Sequence, residues 1–162
     1  MKSIRMAFTV VLALAATAAL AQSNAQKTFD KLKSLNGTWE GKASNGQTVQ
    51  VDNRTTSGGS AIMSEIKGYE DMVSMIHMDG DRVLMTHYCG AGNQPRFTAS
   101  LSPDGKIVTF DYLDATNLSA QPAHMQHVVF TVPDANHHSE DWTFVQPDGK
   151  QMHEHFDLQR TQ

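Results

Sequence analysis

Sulfur and imidazole side chains interleave through the middle of this chain: Met75 with His77, Met85 with His87 and Cys89, and His124 with Met125 and His127. Thioether, thiol and imidazole donors together favour copper, Cu(I) above all. Such a site needs its donors to converge within about 2.0–2.3 Å of one ion, and none of these spacings is a recognised ligand motif. On strands, period-two placement sets Met75, His77, Met85, His87 and Cys89 along one wall. His137-His138 falls in an expected turn, and His153-x-His155 with Asp157 is expected to face solvent, where metal binding would be adventitious.

The segment from Cys89 to Arg96 offers different chemistry. Gly90 and Gly92 loosen the backbone, while Asn93, Gln94 and Arg96 supply donors and acceptors just past His87 and Tyr88. That suits the polar end of a small-molecule pocket, which combines a mostly apolar wall with a few convergent polar groups. Met75, Met85, Phe110 and Phe144 would form the wall, with His77, His87, Arg96, Tyr112 and Glu154 as its polar groups. The candidate ligand-binding set is therefore His77, His87, Tyr88, Cys89, Asn93, Gln94, Arg96, Tyr112, Glu154, Met75 and Met85. Core packing by methionine, with Arg96 and Glu154 paired to each other or to neighbours, accounts for the same residues without a ligand. No G-x-S-x-G elbow, H-E-x-x-H helix, P-loop or dinucleotide-binding glycine fingerprint occurs. Proton transfer by His87, beside Tyr88 and near Arg96, is the enzymatic alternative; a binding protein is the stronger expectation.

Those residues need a scaffold, and the chain's opening says where it would work. Lys2 and Arg5 precede an apolar run from Met6 to Leu20 that ends in Ala19-Leu20-Ala21. This is the pattern of a secretory signal peptide, too short to cross a bilayer, for which about 20 apolar residues are needed. Residues 1–21 are thus expected to be a signal peptide, 22–36 an N-terminal segment with a short helix, and 37–160 a barrel domain. A periplasmic or secreted location follows, without stable membrane insertion after cleavage. Removing Lys2 and Arg5 takes the net charge from −4 to −6, and nucleic-acid binding needs a basic face instead. Cys89 is the only cysteine, so no intramolecular disulfide can form, and it reads best as a small buried hydrophobe.

Phe29, Leu32 and Leu35, followed by Asn36-Gly37, make a short amphipathic helix with a C-terminal stop. Beyond it the period changes to two, and ten segments between Thr38 and Leu158 read as strands. Met78-Asp79-Gly80, Pro103-Asp104-Gly105 and Pro147-Asp148-Gly149 each suit a three-residue hairpin loop with glycine in the left-handed region. On that register His77 pairs with Asp81, Met75 faces Val83 and Val73 faces Met85. Likewise Phe144 faces Met152 and Trp142 faces Glu154, while Arg96, Thr98, Val108, Phe110 and Tyr112 share a face. Many strands, short turns and no crossover helix exclude parallel βαβ architecture. The expected fold class is all-β: a single antiparallel up-and-down β-barrel of about ten strands with a short N-terminal helix, its long Asp114–Pro122 connection at a mouth.

Leu35-Asn36-Gly37-Thr38-Trp39-Glu40-Gly41 contains a G-x-W-x-G element between that helix and the first strand. It resembles the opening of lipocalin-like (calycin) barrels, and more closely nitrobindin-like ten-stranded barrels and related exported bacterial proteins of unknown function. A second stretch, His77-Met78-Asp79-Gly80-Asp81 through Thr86-His87-Tyr88-Cys89 to Gly92-Asn93-Gln94-Pro95-Arg96, resembles the signature of that uncharacterised exported family. The resemblance implies the barrel, with Trp39 closing its base. For nitrobindin-like proteins it also implies haem, held through a histidine near the carboxyl end. His153 and His155 occupy that region here, and alternation sets both on the outer face.

Overall fold

The structure is a computed structural model that describes residues 22–162; the expected signal peptide, 1–21, lies outside the described residues. A helix, α1 (Asn24–Lys33), precedes ten strands: β1 (Gly37–Ala43), β2 (Thr48–Thr56), β3 (Ala61–Lys67), β4 (Met72–Asp79), β5 (Arg82–Tyr88), β6 (Pro95–Leu101), β7 (Ile107–Ala115), β8 (His124–Thr131), β9 (His137–Val145) and β10 (Gln151–Arg160). Every strand pairs antiparallel with its sequence neighbours, and β10 pairs with β1, closing the barrel. The expected architecture is therefore the observed one. Because the meander alternates direction, connections alternate between two ends. The loops β1–β2, β3–β4, β5–β6, β7–β8 and β9–β10 form a mouth, and the other connections with α1 form a base. Among the described residues no helix is long and apolar enough to cross a membrane.

α1 starts where the Ser23 hydroxyl accepts from the Gln26 amide at 3.1 Å and carries Lys31 and Lys33 in its last turn, favourable at the two ends of a helix. It buries Phe29 and Leu32 against the base ends of β4, β5 and β6. Trp39 fills the base: it is fully buried, its Nε1 donates to the Leu35 carbonyl at 2.7 Å, and the Arg160 guanidinium lies over its ring at 4.1 Å. Beside it β1 and β10 approach closely. A Cβ on Gly41 would stand 1.8 Å from the Asp157 carbonyl oxygen, so the second glycine of the G-x-W-x-G element is a steric requirement.

Turn chemistry decides which residues face inward, and it overturns two of the three expected registers. The Pro147-Asp148-Gly149 loop has the expected three residues, with Gln146 N donating to Lys150 O and Gly149 at φ 80°. Phe144 then faces Met152 and Trp142 faces Glu154. Between β4 and β5 the loop is two residues, Gly80-Asp81, with positive φ at Gly80 alone, the type II′ pattern. Asp79 pairs with Arg82 and His77 with Leu84, so Met72, Ser74 and Ile76 point inward and Met75 and His77 outward. After Pro103-Asp104-Gly105 the Ser102 hydroxyl accepts from the Ile107 amide at 2.9 Å, and pairing resumes one residue later than expected. Phe97 and Ala99 face the interior with Phe110 and Tyr112, and Arg96 and Thr98 face out. The expected turn at His137-His138 is instead the start of β9, with His138 fully buried.

Candidate functional site: a cavity at the barrel mouth

A cavity of about 290 Å³ opens among the mouth loops. Its floor is Met72 of β4 and Trp142 of β9, and its walls are Ile66, Met125, Phe144 and Phe156. Each reaches it by inward alternation on a strand at or near its mouth end. The β3–β4 loop contributes Tyr69 and Glu70, the β5–β6 loop Cys89, Gly90 and Ala91, and β10 Met152, His153 and Glu154. Glu154 ties two mouth loops together: one carboxylate oxygen accepts from the Ser44 amide at 2.6 Å and the other from the Tyr69 hydroxyl at 3.1 Å. Burial first, and the neighbouring Glu154 next, push the Tyr69 hydroxyl above its ordinary value, and burial pushes the Cys89 thiol up. Both therefore stay protonated at neutral pH.

Of the eleven residues expected to bind a ligand, Cys89 and Glu154 line this cavity. His77 and Met75 lie on the outer face, and Tyr88 is half exposed there. Met85 is fully buried in the core. Tyr112 packs edge-on to Phe97. Arg96 is bound on the outside to Asp114, not to Glu154. Asn93 and Gln94 hold loops instead of facing the cavity. The Asn93 amide donates to the carbonyls of Gln121 at 2.8 Å and Ala123 at 2.7 Å, and Gln94 N donates to the Thr116 hydroxyl at 3.1 Å. The predicted copper wall is thus split three ways: outer face, core and rim. No group of three His, Cys, Asp or Glu side chains among the described residues could hold a metal. Of the carboxyl-end histidines, His155 faces out to Asp141 at 2.6 Å, while His153, at the cavity rim, meets the Thr143 hydroxyl at 3.2 Å.

His87 lies inside, as expected, but is sealed beneath the cavity floor. Its Nδ1 meets the Ser74 hydroxyl at 2.9 Å, and its ring packs on Trp142 with centroids 4.9 Å apart. Nε2 has no protein partner. Burial alone drives its pKa down to about 4, so the ring is neutral. A tautomer donating from Nδ1 to Ser74 leaves an acceptor unpaired at Nε2, which costs less than an orphaned donor. Trp142 in turn begins a buried polar column along β9. Trp142 Nε1 donates to Glu140 at 3.0 Å, and His138 Nε2 lies 3.1 Å from the other Glu140 oxygen. The His138 ring stands edge-on to Trp39, centroids 4.3 Å apart.

Sequence reasoning missed Tyr69, Glu70 and Met72, and singled out Met125 only as a sulfur donor beside His124 and His127. The available signal was topological: in an up-and-down meander alternate connections share an end, which sets the Gly68-Tyr69-Glu70 turn beside the Cys89–Asn93 loop.

No protein-family model and no curated protein matches the chain. Solved structures do. A protein with unknown function from the DUF3598 family of Nostoc punctiforme superposes with a TM-score of 0.57 at 11% identity, covering 80% of this chain. The chain spans about half of that protein's length, 49%. Rv2717c from M. tuberculosis superposes with a TM-score of 0.59 at 11% identity, over 83% of this chain and 98% of its own. At such identities the likeness shows the fold alone, here a closed antiparallel barrel of ten strands.

Proposed function

We propose that this is an exported binding protein that holds a small, mostly apolar molecule in the barrel mouth. The observation that carries this reading is the cavity itself: about 290 Å³, just under the roughly 300–1,000 Å³ of ligand pockets, with an apolar wall and few polar groups. A mouth sealed only for stability would gain by filling that space with side chains. Haem fits it poorly. The macrocycle is larger than most drug-sized ligands, and the cavity is smaller than the usual pocket for those, so no Soret band is expected on reconstitution. Proton transfer by His87 also fits poorly, because the imidazole is fully buried and does not line the cavity.

The test is a thermal-shift screen of small apolar compounds against the purified protein and Ala91→Trp, which places an indole in the cavity. Binders should raise the stability of the original protein by about 2.7 kcal/mol at 100 times their Kd and leave Ala91→Trp unmoved. Equal shifts in both proteins would place binding elsewhere and end the proposal.

A further inference from the structure

The cavity's formal charges are of one sign. Glu70 and Glu154 line it, no lysine or arginine does, and the one imidazole of the lining, His153, meets the Thr143 hydroxyl. The raised thiol and phenol of Cys89 and Tyr69 add hydrogen-bond donors but no further anion. Glu154 is engaged by two neutral donors, the Ser44 amide and the Tyr69 hydroxyl, so its charge has no counter-cation. Glu70 takes no part in the ion pairs of the described residues. Its carboxylate leans over the β5–β6 loop at Gly90, where an added Cβ would stand 2.6 Å from Oε2. Gly90 does not adopt a left-handed conformation. What its missing side chain provides is room for the acid at the cavity's edge.

Around these two acids stand aromatic rings: Tyr69 edge-on to Phe156 with centroids 5.6 Å apart, and Trp142 and Phe144 across the cavity. Ring faces attract cations, more strongly where water is excluded. Carboxylates without counter-ions attract cations too, whereas bringing in an anion adds like-charge repulsion. An apolar, aromatic chamber with uncompensated negative charge at its edge matches one kind of molecule.

Resting on the mouth-cavity reading above, we propose that the ligand is a small organic cation: an amine carried on an aromatic or branched apolar body. The ammonium meets Glu70 and Glu154, and the body lies against Trp142, Phe144 and Phe156.

Isothermal titration with three probes of one shape decides it: phenethylamine, phenethyl alcohol and hydrocinnamate, which are cationic, neutral and anionic near neutral pH. The amine should bind about tenfold more tightly than the alcohol, and the acid most weakly. Glu70→Gln should weaken the amine roughly fivefold and leave the alcohol unchanged. Gly90→Ala, which displaces the Glu70 carboxylate without removing it, should shift amine affinity in the same direction. If the alcohol or the acid binds as tightly as the amine, or if Glu70→Gln leaves amine affinity intact, the charge assignment is overturned while the cavity stands. If none of the three binds at millimolar concentration, both readings are overturned together.

Discussion

The two ends of this barrel are closed by different means. At the base one side chain gathers the terminal segments. Arg160 stacks on Trp39 and donates to the carbonyls of Ala135 at 2.8 Å, Asn36 at 2.5 Å and Ser34 at 2.9 Å, while α1 lies over the adjoining strand ends. At the mouth, loops are tied to one another in pairs: Asn93 to the β7–β8 connection, Asn117 to the Gly92 carbonyl at 2.9 Å, and Glu154 to Ser44 and Tyr69. A central plug leaves no volume, whereas ties between neighbouring loops close a rim and keep the middle open. The packed plug and the open cavity thereby fall at opposite ends of one sheet.

The sharpest way to break this contrast is to truncate one residue at each end. Trp39→Ala removes a fully buried ring together with the surface on which Arg160 and His138 rest. A loss of about 3–5 kcal/mol is expected from urea unfolding. Met152→Ala at the mouth, where the side chain is 50% exposed, should change stability by no more than about 0.5 kcal/mol. Similar losses at both ends would mean that the mouth is packed as tightly as the base.

His87 sits between the two ends and gives the contrast a pH dependence. Its folded-state pKa lies near 4 against an ordinary 6.5. Between those values the unfolded chain binds the proton and the folded chain does not, so stability falls as pH falls. The contribution is full above about pH 6.5 and lost by about pH 4, a span of roughly 3 kcal/mol. Chemical denaturation at both ends of that window should show the loss in the unaltered protein and much less of it in His87→Leu. Groups common to both proteins cancel in the comparison. An equally steep acid limb in the variant would take the sensitivity away from His87.

The ten strands, the helix and the all-antiparallel order were legible because period-two alternation and turn residues are local signals. Facing was less so, since one residue of loop length inverts a strand. Asp-Gly recurs in three turns, yet the type II′ turn at Gly80-Asp81 and the Ser102 hydroxyl at the second turn each move the pairing by one. On β5, Val83, Met85 and His87 were correctly set inside; on β4 the same reasoning exposed Ile76 and buried His77. His138 was misread for another reason. Hydropathy assigns histidine to solvent, and only the tertiary fold shows that its Nε2 meets Glu140 within the core. The site suffered most, because it is assembled from the ends of five strands and two loops that no local pattern joins.

The smallest expected effects separate residues that hold the mouth from residues merely near it in sequence. Asn93 and Arg96 are three apart and were expected to serve one ligand. Asn93 is fully buried and its amide satisfies two loop carbonyls; Asn93→Ala strands both and should cost about 1–3 kcal/mol. Arg96 meets Asp114 on the outer face, where both side chains are nearly half exposed, and water and salt screen such pairs. Arg96→Ala should leave the urea midpoint unchanged within error, and phenethylamine affinity with it. Asn93→Ala should open the Thr116–Ala123 connection to limited proteolysis. A mouth that opens in Arg96→Ala and stays shut in Asn93→Ala would reverse the assignment and put the outer ion pair, not the buried amide, in charge of the rim.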